Sequence, residues 1–351
     1  MTYYVFTLVF FLFVYFILAM GLNIQYGDTG IPNFAYIGFV AIGSYVTGAL
    51  SLPNSAGTGQ YYILGLSLPF PINLLLGGLA SMLLAVIVAL IALRRLRTDY
   101  LAMVLISLSI VLYDICNNYV PLFNGADGLY NVPEPFAGVL HLTTNSFIPF
   151  FAVLTGVISL LMWFVMSRIT RSPLGRTFRA VRDDDVVAAA LGKNVFRLQL
   201  KAMLIGSFYA GIGGGLIIQF SGSFNPTAWL PGETFVVFAV LIVGGVGNNL
   251  GMLVGALLVE TLLIHLPAFL PAIPGHPGLI EYLDAVVIGV LLIAMLWFRP
   301  QGVVPERTRK AVSFRVRDSV AADGSRKESA SAPVASPATM ATATVQLEDG
   351  R

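Results

Sequence analysis

The sequence predicts an all-α membrane protein, a polytopic bundle of about nine transmembrane helices with a range of about eight to ten. Its 351 residues are 57% hydrophobic and 11% charged, whereas charged residues make up about a quarter of an average soluble domain. Uncharged runs long enough to cross about 30 Å of hydrocarbon recur along the chain. The 20 Lys and Arg residues fall in only three stretches, 94–97, 168–201 and 299–351.

Nine apolar runs are predicted to span the membrane, separated by turns rich in glycine, proline or polar residues. The first run has no basic leader and no small-residue cleavage site, which predicts a retained helix and not a signal peptide. The predicted spans are Tyr3–Leu22, Phe34–Leu50, Ile72–Leu93, Tyr100–Asn118, Ser146–Ser167, Leu198–Phe220, Thr234–Val246, Met252–Leu266 and Leu279–Phe298.

The chain divides into a predicted membrane domain, residues 1–305, and a predicted disordered cytoplasmic tail, residues 306–351. The tail becomes rich in Ala, Ser and Thr and lacks the apolar periodicity of a packed helix. No internal repeat is evident in the sequence of the membrane domain.

The basic residues predict the orientation of the chain. With nine spans, all three basic stretches lie on one side, which the positive-inside rule makes cytoplasmic. The N-terminus is then outside and the C-terminus inside.

Small residues recur every fourth position in the sixth span, at Ala202, Gly206, Ala210 and Gly214. This spacing predicts a seam where another helix approaches closely, more than it predicts a ligand site. The segment from Gly247 to Gly255 continues the same spacing in the turn and helix that follow the seventh span.

The segment 23–33 between the first two spans is rich in Gly, Asn and Pro, and it carries Asp28, the only charged residue before Arg94. Two interpretations stay open. The segment is either irregular backbone at membrane depth, which must then face protein or a water-filled cavity, or it is an ordinary surface turn.

The residue types and motifs present exclude several kinds of functional site and leave others as open alternatives. A single cysteine, Cys116, and three scattered histidines give no disulfide and no metal-ligand spacing. No Walker A pattern is present, so the chain is not expected to bind ATP by that route. No pair of nucleophile and base can be recognised, so no catalytic residue is predicted. The carboxylates Asp114 and Glu260 are either functional groups inside the membrane or, for Asp114, a hydrated group at the interface.

The stretch Arg168–Lys201 is the most polar segment between the spans and holds eight of the 20 basic residues. Its sequence predicts two short helices. Ser172 is a plausible N-cap, with Pro173 at the first helical position, and a second helix is predicted to begin at Asp183. Val187, Ala190 and Leu191 form a small apolar stripe, and Gly192 is a natural helix C-terminus. Two interpretations stay open, a helix presented to a partner or a connecting loop made basic by topology.

A set of short motifs follows in a fixed order over roughly residues 20–305. They are Tyr26–Ala35, Ile42–Tyr45, Leu96–Ala102, Asn124–Leu129, Arg171–Arg176, Arg179–Asp184, Ala188–Gly192, Gly244–Gly247 and Phe298–Gly302. With these motifs the chain resembles the permease subunits of branched-chain amino acid ABC importers, the LivH/LivM family. The resemblance is closer to the M-type than to the H-type subunits, although the first motif is nearer the H-type.

The resemblance implies a transport subunit and not an enzyme. It implies a multi-pass protein of the plasma (inner) membrane of a prokaryote that works with a second permease of the H-type, two cytoplasmic ABC ATPases and an extracytoplasmic substrate-binding protein. ATP and Mg²⁺ would be bound by the ATPases, and this chain would bind no cofactor, metal or nucleic acid. Membrane lipid is the remaining partner.

The resemblance also implies two groups of functional residues. Residues 183–192 would be a coupling helix that docks into an ATPase cleft, with flanking arginines that meet acidic ATPase groups or lipid head groups. The coupling residues are Arg176, Arg179, Arg182, Asp183, Asp184, Val187, Ala188, Ala189, Ala190, Leu191 and Gly192. The residues predicted nearest the substrate path are Asn23, Gly27, Gly30, Asn33, Asp114 and Asn117.

Two alternatives to branched-chain amino acid import stay open. Many M-type members differ at Asn33, Tyr36, Ile110 and Tyr113, and sister permeases of similar sequence handle urea or short-chain amides. The other alternative is an ion-coupled secondary transporter, in which Asp28, Asp114 or Glu260 would bind a proton or sodium ion.

Overall fold

A computed structural model describes residues 2–54, 59–94, 98–136, 144–264 and 279–306. The described residues up to Glu306 belong to one compact unit, and the predicted division into a membrane domain and a tail stays a prediction. The predicted tail from residue 307 onward lies outside the described residues, as do the three histidines. Within the described ranges the chain is helical, and the one β contact is an isolated bridge between Leu129 and Phe224.

The described ranges contain twelve α-helices, labelled α1 to α12 in chain order. They are α1 Thr2–Leu22, α2 Tyr36–Ser51, α3 Ile72–Ala92, α4 Thr98–Asn118, α5 Val120–Phe123, α6 Thr144–Arg171, α7 Pro173–Asp183, α8 Asp185–Ala190, α9 Val195–Ser221, α10 Glu233–Gly244, α11 Asn249–Ala256 and α12 Leu279–Phe298. Two helices continue in π geometry, α1 over Asn23–Gly27 and α11 over Leu257–Ile264. Short 3₁₀ turns occupy Gly125–Asp127 and Pro226–Trp229.

Five of these helices are long and apolar enough to cross a membrane: α1, α3, α4, α6 and α9. The pair α10 and α11 passes the same test together, with a bend of 117° between the two helices. Helix α2 is shorter, with 16 residues. Length and composition thus support five or six spans directly. Of the other predicted spans, α2 is short, and α12 contributes the short apolar stretch Gly289–Phe298.

Helix α9 is the centre of the bundle, and its small residues form the predicted seam. A Cβ atom on Gly206 would overlap the carbonyl of Gly21 in α1, and one on Gly214 would overlap the carbonyl of Val40 in α2. The Ser44 hydroxyl of α2 donates to the Gly214 carbonyl at 2.7 Å. The four-residue spacing therefore positions α1 and α2 against one helix at backbone contact distance.

Two long helices, α1 and α9, are each followed by a connecting segment and a shorter helix, and the first of these segments, residues 28–35, is mostly buried. The chain passes the end of α1, returns through residues 28–35, and begins α2 with Tyr36, whose hydroxyl donates to the Leu18 carbonyl at 2.8 Å. Residues 222–232 connect α9 to α10. The first turns of the two shorter helices meet, because the Ile37 N–H donates to Thr234 Oγ1 at 3.3 Å. Both helices therefore begin inside the bundle.

The glycine seam generates a prediction for Gly43→Ala. A Cβ at position 43 would overlap the backbone of Gly211, so α2 and α9 must move apart. We expect a loss of unfolding free energy of about 1–3 kcal/mol, measured by thermal unfolding of the purified protein in detergent. The matched control is Gly289→Ala in α12, where a Cβ meets nothing within 4 Å and a helical Ala is favourable by up to about 1 kcal/mol. Equal unfolding temperatures for the two variants would contradict the seam.

Candidate functional site

The basic loop 168–201 folds as two helices, and its first cap is the one predicted. Ser172 Oγ accepts from the Leu174 N–H at 3.2 Å, with Pro173 at the first helical position. The second cap differs from the prediction by one residue. Asp184 Oδ1 accepts from the Val187 N–H at 2.9 Å, whereas Asp183 is the last residue of α7. The predicted coupling helix 183–192 is therefore a six-residue helix, Asp185–Ala190, and Gly192 follows it with a left-handed φ of 76°.

Helix α7 lies on the bundle through one apolar face. Gly175, Phe178 and Val181 are buried at a spacing of three residues, and this face fixes the helix against the bundle. Arg176 is exposed. Arg179 and Arg182 lie beside the buried face, with side chains that are 32% and 25% exposed.

Helix α8 presents apolar side chains to the outside. Val186 and Leu191 are 73% and 74% exposed, and Val187 is more than half exposed. Ala189 and Ala190 are also exposed, whereas Ala188 is buried and holds the helix to the bundle. The predicted stripe of Val187, Ala190 and Leu191 is thus on the open side, and Val186 extends it.

The two partly buried arginines have acidic partners within the chain. Arg179 Nη1 lies 3.4 Å from Asp28 Oδ1, at the end of α1. Arg182 Nη1 donates to the Gly27 carbonyl at 2.5 Å and lies 3.1 Å from Glu306 Oε2, beyond α12. We call Asp28, Arg179, Arg182 and Glu306 the four-charge junction. The sequence predicted an ATPase or lipid as the partner of these arginines, which stays a prediction, and the structure shows that two of them also have acidic partners inside the chain.

Asp28 is the most deeply placed member of the junction and lies directly after the first span. Its residue is 1% exposed, and Oδ2 has no hydrogen-bond partner among the described residues. Burial raises the pKa of Asp28 to about 7, and the opposing charge of Arg179 limits this rise. The ionised form of Asp28 therefore depends on Arg179 remaining close.

Three motifs that are far apart in the sequence meet beside the junction. Asn23 Oδ1 accepts from the Gly247 N–H at 2.8 Å, which joins the end of α1 to the turn between α10 and α11. The Val303 N–H donates to the Val243 carbonyl at 2.8 Å, which joins the last turn of α10 to the segment after α12. A Cβ on Gly247 would lie 2.8 Å from the Glu306 carboxyl carbon. Glycine at this position therefore leaves room for the carboxylate.

The predicted path residues of the first motif are buried and bonded to the protein. Asn23 is bonded to Gly247 and Asn249. Asn33 Nδ2 donates to Gln25 Oε1 at 2.9 Å, and the Gln25 amide donates to the Met203 carbonyl of α9 at 3.0 Å. The segment 23–33 is thus irregular backbone enclosed by protein, and the alternative of a surface turn is wrong.

Two glycines of this segment lie against the junction. Gly27 supplies the carbonyl bound by Arg182. Gly30 has a left-handed φ of 77°, and a Cβ there would lie 3.5 Å from the Arg182 side chain. The role of Asn23, Gly27, Gly30 and Asn33 near a substrate path stays a prediction.

The two path residues predicted in α4 lie apart from this segment. Asp114 is exposed and Asn117 is half-buried. Their neighbours in α4 line a small cavity against α2 and the chain after α9, whose lining residues are Gly38, Ala41, Ser109, Leu112, Tyr113, Cys116, Phe224, Pro226 and Trp229. Ser109 Oγ and Trp229 Nε1 are buried there without hydrogen-bond partners among the described residues.

Glu260 is buried in the π-helical continuation of α11. The described residues contain no group of three metal-ligating side chains.

Three residues of this region were not predicted from the sequence: Val186, Glu306 and Asn248. Val186 was overlooked because it falls outside the i, i+3, i+4 stripe. Glu306 was assigned to the disordered tail, although it pairs with Arg182. Asn248 accepts from the Leu250 N–H and donates to the carbonyls of Val304 and Pro305. The signal for Asn248 was present, since an Asn before a helix is a preferred cap.

The buried amide network generates a prediction for Asn33→Ala. The variant leaves Gln25 Oε1 buried without its donor, which we expect to lower the unfolding free energy by about 1–3 kcal/mol in a detergent unfolding experiment. The matched control is Asn118→Ala, because Asn118 is exposed and its amide donates only to the Asp114 carbonyl of its own helix. Unchanged stability of Asn33→Ala together with altered uptake would instead assign Asn33 to the path.

Comparison with known proteins agrees with the resemblance. A family model described as branched-chain amino acid transport system / permease component matches residues 4–296. The high-affinity branched-chain amino acid transport system permease protein LivM of Escherichia coli (strain K12) is 29% identical over 83% of this chain and 68% of its own length. No solved structure matches this chain.

Archaeal relatives give the same result. The probable branched-chain amino acid transport permease protein LivM of Methanocaldococcus jannaschii is 27% identical over 84% of this chain and 91% of its own length. The LivH protein of the same organism is 25% identical over 82% and 87%. Since the family model covers most of the chain, the chain belongs to the branched-chain amino acid transport system permease family.

Proposed function

We propose that this chain is a permease subunit of an ABC importer that moves branched-chain amino acids inward, driven by ATP hydrolysis in partner subunits. The single observation that carries the proposal is the exposed apolar surface of α8, which lies within the basic loop 168–201. A six-residue helix that leaves Val186 and Leu191 about three-quarters exposed gains little stability from its own packing. Such a surface is suited to burial by another protein.

The proposed topology is nine spans, with the N-terminus outside and the C-terminus inside. The connecting segments 28–35 and 222–232 support counting α2 and α10 as separate membrane spans. A Cβ on Gly255 would overlap the carbonyl of Val240, which indicates that α10 and α11 fold back on each other. The basic loop and the segment after α12 lie together through the Arg182–Glu306 pair, as the positive-inside rule requires of two cytoplasmic segments. The proposed location is the plasma membrane of a prokaryote.

The proposed partners follow from the family and from this topology. Two cytoplasmic ATPases would bind ATP and Mg²⁺, and each would receive a loop such as 168–201 from one permease. Relatives of both the LivM and LivH kinds support pairing with a second, H-type permease. An extracytoplasmic binding protein would deliver the substrate. Lipid and the second permease would cover the exposed apolar side chains of α3 and α4.

The docking role of α8 generates a prediction for Leu191→Asp. Because Leu191 is exposed, the isolated chain should keep its unfolding temperature, while the buried contact with the ATPase is lost. We expect the variant to copurify with little or no ATPase and to support no ATP-driven uptake in proteoliposomes. Mass spectrometry of the complex from gently solubilised native cells provides the first readout.

The matched control is Leu66→Asp, an exposed apolar position in the connector before α3. This connector joins the far end of α2, where the Leu68 N–H donates to the Leu50 carbonyl. The control should keep both the ATPase and the uptake. Normal ATPase recovery and uptake for Leu191→Asp would contradict the proposed docking.

The substrate class is tested by competition in the reconstituted importer. Uptake of labelled leucine should require ATP and should fall when unlabelled isoleucine or valine is supplied with the binding protein. Urea and acetamide at the same concentration should leave it unchanged. Uptake of urea or an amide in place of leucine would support the sister permeases, and uptake that follows an ion gradient without ATP would support a secondary transporter.

A further inference from the structure

The four-charge junction connects segments that the exposed helix α8 cannot reach itself. Helix α7 ends at Asp183 and α8 begins at Asp185, so a single residue separates them. The two arginines of α7 contact the end of α1 and the segment after α12. Any displacement of α8 that moves α7 therefore acts on two spans that are far apart in the sequence.

Burying the charges of the junction costs free energy, and a gain in stability does not account for this cost. Asp28 is buried, and one of its carboxylate oxygens has no hydrogen-bond partner among the residues that the structure describes. A buried ion pair often contributes no net stability compared with apolar residues of similar volume. The best-attested use of such pairs is to fix a register or to act in a switch. This cost favours a positional role for the pair.

Glycines on both sides leave room for the side chains of the junction. Gly30 lies against the Arg182 side chain with a left-handed φ, and Gly247 leaves the space that the Glu306 carboxylate occupies. Arg182 also binds the Gly27 carbonyl directly. Hydrogen bonds from Asn23 and Asn248 connect the same segments without charges. A rigid contact region of this kind can transmit a rigid-body movement.

We propose that the four-charge junction transmits the movement of α7 and α8 to α1 and to the segment after α12, with Asp28 and Glu306 acting as positioning residues for transport. The inference rests on the proposed function, since it requires an ATPase that moves α8. It differs from a docking role for the arginines, because Arg179 and Arg182 already have partners within the chain. Arg176 is exposed and remains the candidate for contact with an ATPase or lipid head groups.

The test measures uptake and ATP hydrolysis together in proteoliposomes that contain the complete importer. Glu306→Gln removes the charge from a side chain that is 22% exposed and keeps its shape. We expect the complex to assemble and hydrolyse ATP, while the amount of substrate taken up per ATP falls by about fivefold or more. A merely structural role would lower the yield of complex without changing this ratio.

Asp28→Asn is the second variant. Burial already raises the pKa of Asp28 from 3.8 to about 7, so ionisation of this group costs stability as the pH rises through that interval. A neutral Asn should therefore fold at least as well as Asp at pH 7 and above. We expect an unchanged or raised unfolding temperature together with a lower uptake per ATP. The control Asp127→Asn, at an exposed carboxylate outside the junction, should keep the uptake per ATP of the wild type.

Two results would overturn the inference. One is a wild-type ratio of uptake to ATP hydrolysis in both Glu306→Gln and Asp28→Asn. The other is loss of the ATPase from both variants, because the junction would then serve docking and not transmission. Failure of the wild-type chain to recruit an ATPase would instead refute the proposed function, so the two failures are distinguishable.

Discussion

The close approach of helices along α9 is the constraint on which the rest of the structure depends. Gly206, Gly211 and Gly214 bring neighbouring helices to backbone contact, where association comes from packing and hydrogen bonds and not from the hydrophobic effect. This approach leaves no room for side chains between α1, α2 and α9. The return of the chain between α1 and α2 is therefore enclosed by protein.

The enclosed return explains why the first motif is polar. Gln25 and Asn33 satisfy each other and the backbone of α9, so the polar side chains of the π-helical end of α1 and of the return after it stay paired. Its last polar groups face the basic loop, where Asp28 and the Gly27 carbonyl meet Arg179 and Arg182. One continuous chain of contacts thus runs from the glycine seam to the surface that carries α8.

Local patterns predicted much of this arrangement, because they act within one helix or one turn. The seam at Gly206 and Gly214, the cap at Ser172 and the C-terminus at Gly192 follow from backbone sterics and hydrogen bonding nearby in sequence. The pairing of Arg182 with Glu306 joins residues 124 positions apart, and no periodicity reports such a contact. The cap at Asp184 was displaced by one residue because three consecutive aspartates can all serve as caps.

A density map of the intact complex, purified from native cells with its partner subunits, tests the central claim most directly. The account predicts that Val186, Val187 and Leu191 are buried against an ATPase subunit. It also predicts that Arg179 and Arg182 remain paired with Asp28 and Glu306 of the same chain. A map in which α8 is free of any partner, or in which these two arginines instead contact the ATPase, would contradict it.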